Sequence, residues 1–175
     1  MSKVVISVVA KSGSGKTTLL EKIIKILKKK NIKIAVIKHD VHNFEMDKPD
    51  KDTWRHSQAG ADIIAISSPQ KFAMIEKRES ELTLEEIIER IKGVDLIITE
   101  GYKKENKPKI EVFRRAVQTT LLCEPHELIA IASDVTFDIG VPCYCINDAE
   151  GIANEIIKFM EKQSSSNKQQ KKYKD

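Results

Sequence analysis

The sequence predicts a three-layer α/β fold, a mostly parallel central sheet flanked by helices, and three observations carry that expectation. Short apolar, β-branched runs recur at Lys3–Val9, Lys33–Ile37, Val94–Thr99 and Leu128–Ala132, the pattern of strands buried on both faces. Segments with apolar residues at helical spacing alternate with them. A glycine-rich turn joins the first run directly to the first helical segment. With 175 residues, 41% apolar and 32% charged, the chain can bury a real core and is too apolar for disorder. Its apolar runs of about six or seven residues fall far short of the roughly 20 that span a bilayer. No secretion leader is recognisable, so a soluble, cytoplasmic protein without a membrane partner is expected.

Taken in order, Lys3–Val9 is the first strand. The helix Thr17–Lys30 follows, with Leu19, Leu20, Ile23, Ile24 and Leu27 on one face. Lys28, Lys29 and Lys30 suit the negative end of its dipole, and Asn31 is a left-handed stop. With Lys33–Ile37 as the second strand, this is a βαβ unit whose strands run parallel. The chain is then polar from Lys38 to Asp52, and Thr53 opens a short helix to Ala59. Ala61–Ser67 and Lys71–Lys77, joined around Pro69, read as a hairpin, so an antiparallel pair accompanies the parallel sheet. Thr83 and Glu86 form a capping box for a helix with Leu84, Ile87, Ile88 and Ile91 inward and Gly93 beyond its end. Val94–Thr99 is a buried strand, Lys109–Arg114 an edge strand, and Leu128–Ala132 and Cys143–Ile146 further core strands. A last helix, Ala149–Lys162, turns Ile152, Ile156, Phe159 and Met160 to one side. One nucleotide-binding domain over 1–163 and a disordered polar tail over 164–175 are expected.

The formal charge of +4 is not a nucleic-acid footprint. Four lysines and one aspartate lie in the last twelve residues, which leaves 26 basic against 25 acidic residues elsewhere. That balance argues against a phosphate-backbone partner. Three cysteines, Cys123, Cys143 and Cys145, are an odd number unsuited to a disulfide framework. Alternation places Cys143 and Cys145 on one strand face. Without a second Cys/His pair at zinc spacing they read as small buried hydrophobes.

The chemistry concentrates in Ala10–Lys–Ser–Gly–Ser–Gly–Lys16–Thr17. This fits the phosphate-loop pattern G-x-x-x-x-G-K-[ST] with Ala10 in the first glycine's place. Gly13 and Gly15 permit backbone angles that turn successive N–H groups on one anion, and the helix N-terminus adds its unpaired donors. Lys16 can bridge β- and γ-phosphates, and the Thr17 hydroxyl can coordinate Mg²⁺. Ala10 is tolerable if its φ stays negative. The required acid is Glu100, at the end of an apolar strand, where it can hold Mg²⁺ through a water or polarise the attacking water. Asp134, directly after a core strand, can accept together from the ring N–H and exocyclic amine of guanine. Asn147–Asp148 is its competitor.

The loop, Ile37–Lys38–His39, Asp47–Lys48–Pro49, Lys51–Asp52, Ala59–Gly60–Ala61, Glu100–Gly101–Tyr102–Lys103 and Ala132–Ser133–Asp134 occur in that order. With them the chain resembles the MobB family of molybdopterin-guanine dinucleotide biosynthesis proteins, from about Val4 to Met160. The resemblance implies a dimeric, weakly hydrolysing, Mg²⁺-dependent GTP-binding protein. Such proteins assist the guanylyltransferase that attaches GMP to molybdopterin. It implies Gly13, Ser14, Gly15, Lys16, Thr17 and Thr18 for phosphate, and Thr17 and Glu100 for metal. His39, Asp47 and Asp52 would lie near the γ-phosphate or on the face for a cofactor or partner. Asp50 departs from the family, which often has Gly there.

Two alternatives stand beside this reading. Lys11, at the second place of the loop, is the mark of deviant Walker-A ATPases of the partitioning and septum-site type. Ser12 in place of a glycine and Glu100 in place of an aspartate depart from that signature. A nucleotide-gated adaptor that scarcely turns over is the other, consistent with Glu100 and the lack of an obvious arginine finger.

Overall fold

The computed structural model describes residues 3–40 and 44–172, with side chains as far as 166. The chain forms two compact units, Met1–His39 with Ile91–Asp175, and Asp40–Arg90, where the sequence reading has one undivided domain over 1–163.

The larger unit is built on strands β1 (Val4–Ala10), β2 (Ile34–Lys38), β5 (Leu96–Glu100), β6 (Lys109–Phe113), β7 (Leu128–Ser133) and β8 (Cys143–Cys145). They form one sheet in the order β2-β5-β1-β6-β7-β8, with every pairing parallel. Helix α1 (Lys16–Lys29) and helix α4 (Ala149–Lys172) share a core with one face of this sheet. Leu19, Leu20, Ile23 and Leu27 meet Ile152, Ala153 and Ile156 over Ile6, Val8, Ile98, Ile110 and Ala130. The opposite face near β7 is closed by connecting chain: Val9, Leu128 and Ile131 pack on Cys123, Leu121 and Phe137. Asn31 ends α1 with φ 61, as its sequence position requires.

The smaller unit holds helix α2 (Asp52–Gln58), the antiparallel pair β3 (Ile63–Ser68) and β4 (Lys71–Glu76), and helix α3 (Leu84–Arg90). The expected capping box closes on α3, with Thr83 N donating to Glu86 Oε2 at 2.8 Å and Glu86 N donating to Thr83 Oγ1 at 3.2 Å. The hairpin pairs only within itself and leaves Ile63, Ile66, Phe72 and Met74 more than half exposed.

Three sequence expectations are corrected. Lys109–Arg114 is not an edge strand: β6 lies between β1 and β7 and is buried along its length. Its two charged residues suggested solvent, but each finds partners inside. Lys109 Nζ donates to Glu105 O at 2.9 Å and to Glu127 Oε1 at 2.6 Å. Glu111 accepts from Gln118 Nε2 at 2.9 Å, Leu122 N at 2.8 Å and Cys123 N at 3.0 Å. Conversely, Cys143–Ile146 is not a core strand. β8 is the sheet's edge, with Cys143 half-buried and Cys145 exposed, so only Cys123 and not the Cys143–Cys145 pair is a buried thiol. Finally, α4 runs to Lys172, so part of the segment expected to be disordered continues the helix. Ser165 and Ser166 donate their hydroxyls back to Glu161 and Lys162 carbonyls at 3.0 Å. The helix meets no Gly or Pro before its end, and Lys and Gln favour it. Positions 173–175 and His42 lie outside the described residues.

Candidate functional site

The site begins where β1 ends. Ala10 is the last residue of the strand, and its φ is not positive, so the missing glycine costs nothing there. Gly13 and Gly15 take φ 81 and 87, the left-handed region in which a side chain is strained. Between them Ser14 is 1% exposed, its N–H donating to Lys11 O at 3.2 Å and its buried hydroxyl left without a partner. No side chain caps α1, and Leu19 N to Gly15 O at 3.1 Å opens its backbone ladder. The N–H groups of residues 16–18 therefore have no partner in the preceding turn of the helix. A buried hydroxyl without a partner and free amide donors beside two left-handed glycines form a set of donors without an acceptor. That is the chemistry of an anion site.

Lys16 and Glu100 meet as an ion pair, Lys16 Nζ donating to Glu100 Oε1, with side chains 18% and 15% exposed. Sheet register produces the meeting: Glu100 pairs with Val8 on one side and Lys38 on the other. Beneath it, Ser7 and Thr99 on the same two strands share a buried hydroxyl–hydroxyl bond of 2.7 Å. The chain after Glu100 is closely held. Gly101 has φ 112, and a Cβ there would lie 3.0 Å from His39 Cβ and 3.2 Å from His39 O. Only glycine fits without moving that backbone. His39 N donates to Glu100 O at 2.8 Å, and its ring lies 4.8 Å from that of Tyr102, tilted by 35°. On the other flank of β1, Asp134 follows β7. It is exposed, with Oδ1 accepting from Arg115 N at 2.8 Å.

This geometry can now be set against known proteins. The profile of the family described as MobB, molybdopterin guanine dinucleotide synthesis protein B, matches residues 5–134. The chain belongs to the MobB family. It is 38% identical over 160 residues to the molybdopterin-guanine dinucleotide biosynthesis adapter protein of Escherichia coli, covering 87% of this chain and 91% of that one. To the protein of the same name from Haemophilus influenzae it is 33% identical over 147 residues, covering 83% of each. Among solved structures, a molybdopterin-guanine biosynthesis protein B superposes with TM-score 0.69 at 29% identity, covering 89% of this chain and 99% of that one. Bacillus subtilis MobB does so with the same TM-score at 23% identity, over 89% and 96%, and shows the fold alone. The fold is that of P-loop NTPases in their MobB form.

In this MobB-family chain the structure brings Gly13, Ser14, Gly15, Lys16, Thr17, Thr18 and Glu100 together around one strand end, with Thr17 and Thr18 exposed in the first turn of α1. Asp47 and Asp52 belong to the smaller unit. Asp47 Oδ1 accepts from Lys48 N at 2.8 Å and Thr53 Oγ1 at 3.0 Å, so it helps to open α2. Its Oδ2 is buried without a hydrogen bond. Asp52 is exposed, 4.0 Å from Arg55. Lys11 is exposed. Among the described residues no group of three or more His, Cys, Asp or Glu is gathered as a metal site, and no helix is long and apolar enough to cross a membrane.

Sequence reasoning missed Arg114. Its Nε donates to Ser14 O at 3.4 Å, and its Nη2 lies 3.4 Å from where a Cβ on Gly15 would stand. The signal was available. Arg114 directly follows an apolar strand, as Glu100 ends one, but assigning that strand to an edge removed it from the loop's neighbourhood.

Proposed function

We propose that this chain is a nucleotide-dependent adapter in molybdopterin-guanine dinucleotide biosynthesis. It would bind Mg²⁺-GTP at the Ala10–Thr18 loop, hydrolyse it weakly, and act on the guanylyltransferase that attaches GMP to molybdopterin. One observation carries the nucleotide part: an uncapped helix behind two left-handed glycines, its lysine held by the strand-end carboxylate of the adjacent strand. The adapter part rests on relatives that carry that name over most of their length.

Each residue has a physical role in this reading. The loop amides and the Ser14 hydroxyl supply donors to phosphate oxygens, and Lys16 exchanges Glu100 for the β/γ-oxygens. Glu100 and Thr17 would hold Mg²⁺, which would supply positive charge to offset that of the phosphates. Asp134 accepts from the guanine edge, a pairing that adenine cannot offer. By the family resemblance, His39 in the larger unit and Asp47 and Asp52 in the smaller one would each serve the γ-phosphate, a cofactor or a partner. The exposed apolar residues of the β3–β4 hairpin support a homodimer in solution, since an unpaired apolar hairpin is an association surface.

Titration with labelled GTP and ATP in Mg²⁺ tests the reading. GTP should bind more tightly, and Lys16→Ala should remove measurable triphosphate binding while the fold survives. A change below about threefold in Lys16→Ala, roughly 0.7 kcal/mol, counts against the loop as the site. Tighter ATP binding would favour the partitioning-type ATPase.

A further inference from the structure

Among the described residues Arg114 has no counter-ion. A guanidinium carries five N–H donors and is always charged, yet the Ser14 carbonyl is the one acceptor that the described residues offer this half-buried side chain. The carboxylates at the neighbouring strand ends have other partners, Glu100 pairing with Lys16 and Asp134 accepting from the Arg115 amide. A partly desolvated cation without a carboxylate is costly unless an anion comes to it. Here it lies against the two loop residues, Ser14 and Gly15, around which the free amide donors converge.

Its backbone is held in place. The Arg114 carbonyl accepts from Val117 N at 2.9 Å and Gln118 N at 3.0 Å, and Gln118 is tied to the buried Glu111 carboxylate. The strand order gives the direction. Lys16 leans toward Glu100 on β5, on one side of β1, whereas Arg114 follows β6 on the other. A phosphate chain whose outer end is met by Lys16 on the β5 flank has its inner end toward β6.

We propose that Arg114 is a second phosphate-binding cation of this site, holding an inner phosphate of the nucleotide on the β6 flank while Lys16 addresses the outer phosphates. The proposal rests on the loop being a nucleotide site and assigns that site a residue outside the loop motif. An inner phosphate is present in both GTP and GDP, so Arg114 serves both equally, unlike an arginine that stabilises charge only during hydrolysis.

The test is titration of the full chain and its Arg114→Gln and Arg114→Lys variants with GTP and with GDP in Mg²⁺, alongside nucleotide-free melting curves. Glutamine keeps an N–H for the Ser14 carbonyl but loses the charge. The expected result is a loss of about tenfold or more for GTP and GDP alike in Arg114→Gln, the worth of one charge-assisted hydrogen bond. Arg114→Lys should lose less, and the nucleotide-free melting temperature should not fall in either variant. A loss confined to GTP overturns the inner-phosphate assignment, as do unchanged affinities in a protein whose parent binds both nucleotides. A lowered melting temperature with Lys as weak as Gln makes Arg114 a brace for the loop and overturns the proposal too. A parent chain that binds neither nucleotide removes the nucleotide reading itself, and this assignment with it.

Discussion

Asp50 takes φ 67, a left-handed backbone that costs a residue with a side chain about 1 kcal/mol. Asp50→Gly should therefore raise stability by about 0.5–1 kcal/mol, measured as a shifted denaturation midpoint with unchanged slope. A lowered midpoint would mean that the carboxylate itself contributes. The cysteines give a second residue-level prediction. Burial, reinforced by the nearby Glu111 carboxylate, pushes the Cys123 thiol up to about 12, so its thiolate is absent near neutral pH. Cys145 is exposed and Cys143 half-buried. Alkylation followed by mass spectrometry should label Cys145 first and leave Cys123 unmodified until the protein unfolds. Early labelling of Cys123 would show that its covering chain opens in the native state.

At the level of elements, β6 shows how polar residues can build a core strand. Glu111 is fully buried, and its two oxygens accept from a side-chain amide and two backbone N–H groups that hold the chain over Gln118–Cys123. Glu111→Gln would turn an amide toward those donors and should cost about 2–3 kcal/mol, read as a fall in denaturation midpoint. A change below about 0.5 kcal/mol would mean that water replaces the bonds. The same strand shows what sequence patterning can and cannot reach. Periodicity located β1, α1, β2, β5 and β7 within a few residues, because their burial is apolar and local spacing reports it. The same spacing located Glu100 at its strand end, where it meets Lys16. Lys109 and Glu111 are paid for by partners far along the chain, Glu127 and Gln118–Cys123, and no local pattern announces those. The misplacement of β6 then hid Arg114. At β8 the error ran the other way: apolar composition suggested a centre, but only strand order makes an edge.

For the molecule as a whole, α4 continues past its buried residues. Ile152, Ala153 and Ile156 are buried, whereas residues 164–166 are exposed, and Ser165 and Ser166 bond back to their own helix. Deleting residues 164–175 should leave the melting temperature and nucleotide affinity unchanged. A fall of several degrees would show that this part of the chain is docked. The strand order has a further effect, on the chain as it is made. β1 is an almost wholly buried apolar strand at the middle of the sheet, and both of its neighbours, β5 and β6, come much later. Val4 waits for Leu96, with the entire Asp40–Arg90 unit between them. At ordinary translation rates that interval is on the order of ten seconds. For that time the emerging polypeptide carries its future central strand without either neighbour, beside a helix whose apolar face also lacks α4. The growing chain thus holds an apolar strand uncovered through that interval, and closes it over only as β5 and then β6 emerge.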